Sequence, residues 1–415
     1  MWWLNCTGRA LSQILASMIR RIDPDDCIRI CKQIDAGIKI IQYRYHAIIK
    51  EDLMDKYEKL RQNLHKNPSG APKSESFDEI LRVLFTPEEV EVASEMNFVP
   101  KSIEKIAEKA GKSVENTSEL CESMANKGIV FSREKNGEMR YSLLPTIPGL
   151  FEFPYMTGGG TPMHDRLAGL WEDYHLECQG AEFGSSPTPL ARIIAVEETI
   201  SSENEVLPYE VLSQMMENNT RFALAHCACR VAAGENSCDK PTEVCLIFDQ
   251  AADFLIKRGF GKKITRDEAL NVLRASEEAG LVHTANNSQD RLGFICNCCS
   301  CCCTILTCLT RINAPYPFAR SRWIAQVDET CCTGCSICSD ERCPVSAIAI
   351  HEQSAVVDMD LCIGCGLCAS ACPEDAVTMD PRTGAVTPPA TMLELGAQIL
   401  MEKGRFEEFM ELNKP

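Results

Sequence analysis

Two short cysteine runs near the end of the chain constrain its fold more than any other feature. In each run, three cysteines are separated by two residues, and a fourth immediately precedes a proline. The runs are Cys332, Cys335, Cys338 and Cys343, and then Cys362, Cys365, Cys368 and Cys372. Three thiolates on one tight loop can reach three irons of a [4Fe–4S] cluster, so the fourth must come from elsewhere. The spacing therefore predicts two [4Fe–4S] clusters.

The fourth cysteine of each run is predicted to serve the opposite cluster. In the bacterial two-cluster pattern, the cysteine before proline ligates the cluster of the other run. One predicted set is Cys332, Cys335, Cys338 and Cys372, and the other is Cys362, Cys365, Cys368 and Cys343. Structural zinc or disulfides would not require paired runs that both end in Cys-Pro. Iron–sulfur ligation is therefore the interpretation that accounts for the whole pattern.

The repeat extends beyond the cysteines and indicates an internal duplication. Val327 and Asp328 precede the first run as Val357 and Asp358 precede the second. Each half is predicted to form a strand, a ligand loop, a short helix after Cys-Pro and a return strand. The segment resembles the bacterial di-cluster ferredoxin family over roughly the last fifth of the chain. It departs from that family by one extra residue between the last two cysteines of the first run.

A second concentration of cysteines lies in the middle of the chain. The candidate metal ligands there are Cys227, Cys229, Cys238, Cys245, Cys296, Cys298, Cys299, Cys301 and Cys302. The first four alone would suffice for one cubane or one zinc ion. Neighbouring side chains diverge whereas alternate ones share a face, so Cys296, Cys298 and Cys301, or Cys299 and Cys302 with others, form alternative sets. The pattern predicts a third iron–sulfur cluster, with structural zinc or a thiol redox site as alternatives.

Composition favours metal binding over disulfide formation. The chain has 415 residues and 25 cysteines. It opens without a signal-peptide pattern, and no apolar run reaches the length of a membrane span. We therefore expect a cytoplasmic protein, from an anaerobic host, whose thiols stay reduced. The formal net charge of −17 disfavours a generally nucleic-acid-binding surface.

The duplicated segment carries much of this negative charge. Residues 326–382 contain ten acidic and two basic side chains. Such an acidic patch can steer a small electron carrier onto a basic partner. Solubility alone is an equally good explanation of the charge.

Residues 75–156 are predicted to form a winged-helix-like domain. Helices are expected from about Ser102 to Ala110 and from Ser113 to Lys127, and Asn136-Gly137 predicts a hairpin turn. This order resembles the winged-helix superfamily, which implies DNA binding or protein docking. Residues 77–145 contain nine basic and thirteen acidic side chains, which would neutralise phosphates poorly. Protein docking or homodimerisation is therefore the favoured use of this segment.

Together these patterns predict an α+β, multidomain protein. Its parts are a helical N-terminal extension and linker (1–70), the winged-helix-like domain (75–156), a helical Cys-rich domain (157–315), a di-cluster ferredoxin-like domain (318–382) and C-terminal helices (383–415). The C-terminal helices are expected to cover one face of the ferredoxin-like domain.

The order of motifs after about Phe77 resembles an uncharacterised family of 4Fe–4S proteins from anaerobes. Its marks here are Cys-x-Cys-Arg at 227–230 and the cysteine-rich run at 296–303. The resemblance implies electron transfer beside larger redox complexes. We expect single-electron relay to or from a redox partner. The alternatives are a redox-responsive transcription regulator, and an oxidoreductase or reductive activator that works at the middle-domain cysteines. His226 and His283 are expected to pack rather than to catalyse.

Overall fold

Helices and strands are mixed throughout the parts of the chain that the computed structural model describes, residues 54–201 and 205–414. This confirms the predicted α+β class. The helical pattern predicted for residues 1–53 lies outside the described residues. The chain from Tyr57 onward packs as one unit. Within the described ranges, no helix combines the length and apolar character that crossing a membrane requires.

The first part of this unit consists of helices and a three-stranded sheet. After α1, which ends at residue 65, the elements are α2 (Glu75–Leu84), α3 (Pro87–Ala93), β1 (Lys101–Ser102), α4 (Ile103–Ala110), α5 (Val114–Asn126), β2 (Val130–Lys135) and β3 (Glu138–Leu143). The hairpin turns at Asn136 and Gly137, which both have positive φ. Strand β1 joins its edge, giving the order β1-β3-β2. The predicted helices and hairpin are present, while the winged-helix assignment itself stays a prediction.

Aromatic packing holds the next helices against the first part. These are α6 (Glu152–Tyr155), α7 (Pro162–Tyr174) and α8 (Gly180–Phe183). The Tyr174 ring of α7 stacks on Phe77 of α2 with ring centroids 4.5 Å apart. The Trp171 ring meets Phe77 edge-on at 6.2 Å. Offset and edge-on ring pairs contribute about 0.5–1.5 kcal/mol beyond their burial, so α7 is firmly placed.

The middle of the chain is not the helical domain that the sequence predicts, because its centre is a six-stranded antiparallel sheet. The strands are β4 (Ala191–Ile193), β5 (Phe222–His226), β6 (Glu243–Phe248), β7 (Lys262–Ile264), β8 (Val282–Asn286) and β9 (Phe294–Cys298), in the order β4-β8-β9-β6-β5-β7. The helix that follows β6 begins only at Asp249. Residues 244–248 are buried on both faces of β6, and such a short apolar run does not distinguish a strand from a buried helix.

The two faces of this sheet have different chemistry. The helices beside it are α9 (Leu212–Met215), α10 (Ala228–Ala233), α11 (Asp249–Arg258), α12 (Arg266–Glu278) and α13 (Thr304–Thr310). On one face, Leu246 and Ile295 pack in a core with Leu273 of α12. Successive side chains of a strand point to opposite faces, so the neighbouring Cys245 and Cys296 belong to the other face. That face carries the thiols.

The C-terminal module contains two antiparallel pairs of strands. They are β10 (Trp323–Val327) with β13 (Val377–Pro381), and β11 (Ile348–His351) with β12 (Ser354–Val357). The short helices predicted after Cys-Pro are wrong, because residues 344–345 and 373–374 form turns. Ser346 and Asp375, which follow these turns, have positive φ, a conformation that does not continue a right-handed helix.

The module is joined to the six-stranded sheet by the backbone that follows β4. The amide of Ile193 donates to Ala319 O at 2.9 Å, and the amide of Val196 donates to Cys365 O at 3.0 Å. A Cβ on Gly366 would lie 2.6 Å from Thr199 Oγ1, so only glycine permits this close approach. The second ligand loop therefore packs directly on the middle domain.

The C-terminal helices do not take the position that the sequence predicts. Helices α14 (Met392–Glu402) and α15 (Phe406–Leu412) pack against the N-terminal helices and α8. Lys403 Nζ donates to Glu182 O at 2.7 Å, and Arg405 Nη1 donates to His65 O at 2.7 Å. Both cations are largely buried and share the Glu182 carboxylate. A buried cation needs a partner of opposite charge, which amphipathic periodicity does not reveal.

The winged-helix-like segment docks on α11 of the middle domain. Phe131 of β2 contacts Phe254 of α11 at 5.2 Å between ring centroids. The side chain of Arg258, also of α11, is 6% exposed and forms an ion pair with Glu122 of α5. It also donates to Ser132 Oγ at 2.9 Å. Phe131, Glu122 and Ser132 of this segment thus contact α11 rather than being presented to a DNA duplex.

We expect Arg258→Met to lower the free energy of unfolding by about 1–2 kcal/mol, because it removes the guanidinium group together with its charge-assisted hydrogen bonds. Arg258 holds the pKa of Glu122 below its usual range. The contribution of the Arg258–Glu122 ion pair to the free energy of unfolding is therefore present near neutral pH. It is lost as the pH falls through the folded pKa of Glu122. Urea midpoints at neutral and acidic pH measure it.

Arg274→Met is the matched control, because Arg274 is an exposed arginine that hydrogen-bonds only within α12, to Asn271. Equal urea midpoints for the two variants at neutral pH would contradict a stabilising role for Arg258.

Candidate metal centres

The structure gathers the eight cysteines of the C-terminal runs into the two sets that the sequence predicts. One small cavity of about 20 Å³ is lined by Cys332, Cys335, Cys338 and Cys372. A second cavity, also of about 20 Å³, is lined by Cys343, Cys362, Cys365 and Cys368. In both, the cysteine before proline comes from the opposite run. Four thiols around one cavity fit the donor set of a [4Fe–4S] cluster.

Backbone amide groups point at thiol sulfurs of both cavities. Ala347 N donates to Cys343 Sγ at 3.1 Å, and Ala355 N donates to Cys332 Sγ at 3.4 Å. Hydrogen bonds from Ala355 and Gly334 lower the pKa of Cys332. Such bonds favour the thiolate, which is the form that ligates a metal.

The two cavities differ in their exposure. Cys335 of the first is exposed, whereas Cys365 and Cys368 of the second are only 8% and 7% exposed. Burial raises the pKa of Cys365 to about 12, so its ionised form depends on compensation by a metal. The first cavity therefore faces the surface, and the second lies against the middle domain.

Four middle-domain thiols form a separate group, which we call the cysteine quartet. It consists of Cys238, Cys299, Cys301 and Cys302, whose sulfurs all lie within 4.8 Å of one another. A tetrahedral ion with metal–sulfur bonds of about 2.3 Å places its sulfurs about 3.8 Å apart. A cubane separates its ligands more widely, because the iron–sulfur core lies between them. The quartet therefore fits one tetrahedral ion.

A buried guanidinium balances the charge of the quartet. Arg230 of α10 is 1% exposed and has no carboxylate partner among the described residues. Burial acts to raise the pKa of Cys299, but hydrogen bonds from the Cys302 amide and the Arg230 guanidinium outweigh it and lower that pKa to about 7. Because buried charges require opposite charge nearby, Arg230 indicates that thiolates lie at this place.

The remaining middle-domain thiols form a second group on the cysteine-bearing face of the sheet. This cysteine sextet consists of Cys227, Cys229, Cys245, Cys296, Cys298 and Cys303. Each of its thiols interacts electrostatically with at least one other member. Cys296 and Cys298 alternate along β9 and share a face, as strand geometry requires. Mutual contact raises the pKa of Cys296 well above its usual range.

The structure divides the middle-domain cysteines differently from their order along the chain. Cys238 joins Cys299, Cys301 and Cys302 rather than its sequence neighbours Cys227 and Cys245. Cys303 is absent from the predicted ligands, yet it belongs to the sextet. The amide of Cys303 donates to Cys299 O at 3.3 Å, so a tight turn directs Cys303 away from the quartet. Cys303 is the N-cap residue of α13, and because cysteine is not a preferred N-cap residue, no sequence signal marks this position.

The two histidines near the thiols have hydrogen-bond partners of their own. His283 is 2% exposed, and its ring nitrogens lie 2.6 Å from Asn297 Oδ1 and 2.8 Å from Glu277 Oε1. Nδ1 of His226 lies 3.0 Å from Thr242 Oγ1. Both rings are held by neighbouring polar groups, and neither belongs to the quartet.

A family model for a 4Fe–4S binding domain matches residues 355–378. The matched range includes the four cysteines of the second run, from Cys362 to Cys372. With the high cysteine content, the match indicates iron–sulfur binding and electron transfer. No curated protein and no solved structure gives a match to this chain.

We expect Cys302→Ser to lose about one metal ion per chain, because it removes one of four thiolate ligands from a tetrahedral site. Elemental analysis for zinc and iron after anaerobic purification measures the loss. Cys178→Ser is the matched control, since Cys178 is a half-buried thiol outside both groups. Unchanged metal content in Cys302→Ser would contradict metal binding by the quartet.

Proposed function

We propose that this protein relays single electrons between a redox partner and its own middle domain. Two [4Fe–4S] clusters, one in each C-terminal cavity, would supply the one-electron chemistry. A further iron–sulfur centre is proposed at the cysteine sextet. The observation that carries the proposal is one continuous core shared by these thiols. It contains Cys298 and Cys303 of the sextet together with Cys338, Cys362 and Cys365 of the C-terminal cavities.

The core supports a defined order of sites. The first cavity carries the exposed Cys335, so it is the proposed point of exchange with the partner. The second cavity is buried and packs on the middle domain through the hydrogen bond from Val196 N to Cys365 O. It would therefore lie between the first cavity and the sextet.

Charge around the first cavity suggests the character of the partner. Asp328, Glu329, Asp340, Glu341 and Glu374 lie on or beside its ligand loops. An acidic rim attracts a basic partner surface and speeds encounter at low ionic strength. We propose a redox protein or complex subunit with a basic docking surface as the partner, in the cytoplasm.

The quartet is proposed to have a structural role. Four thiolates close the coordination of a tetrahedral ion and leave no position for a substrate. The quartet also gathers the loop that contains Cys238 and the turn from Cys299 to Cys302, and Cys299 packs with Val244 and Leu281. Zinc or a single iron ion would hold these segments against the end of the sheet.

We expect anaerobically purified protein to contain about twelve cluster irons per chain, or about eight if the sextet holds no cluster. Cys343→Ala should lose up to about four irons, because Cys343 lines the second cavity. Iron and sulfide analysis together with spin-resonance spectra of the reduced protein measures this. Cys331→Ala is the control, because the exposed Cys331 lines neither cavity.

Iron content well below eight per chain would contradict the two-cluster proposal. Equal iron loss in Cys331→Ala and Cys343→Ala would contradict ligation of a cluster by Cys343.

A cavity beside the middle-domain thiols favours a second candidate, an oxidoreductase or reductive activator. The cavity of about 310 Å³ is bordered by Cys229 of the sextet and by Cys301 and Cys302 of the quartet. The buried N–H groups of Trp171 and Gln179 at its wall have no hydrogen-bond partner in the described chain. Buried donors are costly to leave unpaired, so the wall suits a small ligand with acceptor oxygens.

The spin-resonance spectrum in the presence of a small anion distinguishes electron relay from small-molecule chemistry at this cavity. Formate and acetate are suitable probes because they are small and carry acceptor oxygens. If chemistry occurs here, a probe changes the spin-resonance spectrum of the reduced wild-type protein and has less effect on Trp171→Phe. Relay alone predicts spectra that neither probe changes.

DNA binding is not part of the proposal. Of the wing residues, Arg133 donates to Gln250 Oε1 at 2.9 Å, and Arg140 pairs with Glu138 at 2.6 Å. Glu122 of α5, the helix that a DNA-binding winged helix would place against DNA, pairs with Arg258. These contacts favour a docking role for the winged-helix-like segment within the chain.

A further inference from the structure

A cavity between the six-stranded sheet and the C-terminal module has an unusual concentration of arginine. Its volume is about 380 Å³, and Arg192, Arg320, Arg322 and Arg382 all line it. Glu210 is the one carboxylate among its described lining residues, and it pairs with Arg322 at 3.3 Å. In a chain with a net charge of −17, positive charge gathered at one cavity calls for an explanation.

Arg192 is the most deeply buried of these cations. It is 5% exposed and donates to the carbonyl oxygens of Tyr209 at 2.7 Å and Ser288 at 3.2 Å. Its Nε has no hydrogen-bond partner in the described residues, and no described carboxylate pairs with it. Burial lowers the pKa of Arg192 to about 10. The side chain is thus held in place by carbonyl groups, and the Glu210 carboxylate acts on its charge without forming an ion pair with it.

Arg320 and Arg382 bring like charges together at the same cavity. Arg382 is positioned by hydrogen bonds to Cys362 O at 2.8 Å and Trp323 O at 3.3 Å, and its buried Nε has no described partner. Arg320 is exposed and has no ion pair among the described residues. The like charges of Arg320 and Arg382 repel each other at this cavity. An anion between the two guanidinium groups would remove this repulsion.

We propose that this cavity is a binding site for a small polyanion, recognised through phosphoryl or carboxylate oxygens. Guanidinium groups bind such oxygens with paired, charge-assisted hydrogen bonds. Arg192 and Arg382 form the fixed part of the site, because protein carbonyl groups orient both. Arg320 lies at the entrance, where it is free to close on the ligand. The buried indole N–H of Trp323, which also lacks a described partner, is a further donor at the wall.

The site does not depend on the proposed electron relay. Its donors are guanidinium groups rather than thiols, so anion binding is measurable whatever metal the cysteines hold. Its position joins two parts of the chain, since Arg192 belongs to β4 and Arg382 follows β13. A bound anion would therefore strengthen the contact between the sheet and the C-terminal module.

Calorimetric titration of the anaerobically purified full chain with pyrophosphate, and separately with citrate, tests the proposal. We expect saturable binding of at least one probe and a higher unfolding temperature in its presence, because a ligand of the folded state stabilises it. Arg320→Gln should weaken binding roughly tenfold, since it removes one charge-assisted interaction. The more tightly bound probe shows whether phosphoryl or carboxylate oxygens are preferred.

Arg166→Gln is the matched control, because it makes the same charge change at an exposed arginine on α7, outside the cavity. Unchanged affinity in Arg166→Gln, with weakened affinity in Arg320→Gln, supports the site. Absence of saturable binding for both probes overturns the proposal. Equal weakening by the two substitutions also overturns it, because the effect would then reflect only the overall charge of the protein.

Discussion

Thiolates are costly to bury unless a metal ion, a cation or hydrogen-bond donors balance their charge, and the described chain is arranged around that requirement. Cys365 and Cys368 are almost fully buried in the second cavity. Amide groups reach sulfur atoms of both C-terminal cavities, at Cys343 and Cys332. Both of these amide donors belong to the C-terminal module, whereas the second cavity also packs on the segment after β4, where the Val196 amide donates to Cys365 O.

The same requirement explains the middle domain. Arg230 is buried without a described carboxylate partner and hydrogen-bonds to the Asn297 carbonyl at 3.2 Å. Its charge also acts on Cys227 and Cys299, one thiol from each group. A guanidinium at this position couples the sextet and the quartet electrostatically. A change of negative charge in one group would therefore alter the electrostatic potential at the other, which suits the proposed electron-transfer route.

Much of the C-terminal site could be predicted from the sequence, whereas most of the middle domain could not. The repeat from Val327 to Val377 contains its own ligand spacing, so local sequence is enough to group Cys332 with Cys335 and Cys338. The middle sheet pairs β6 with β9 across a long stretch of chain. Residues 244–248 are buried on both faces of β6, and such a run carries no periodicity that separates a strand from a helix.

The sequence by itself determined the spacing of the ligands within each C-terminal run and the hairpin at Asn136-Gly137, because each depends on residues a few positions apart. Only the tertiary structure decided that Cys238 joins Cys299, that Cys303 joins the sextet, and that Arg192 and Arg382 line one cavity. These residues come together through non-local strand pairing and through the contact between two parts of the chain. Such contacts are set by packing and charge compensation across the fold, which no local pattern records.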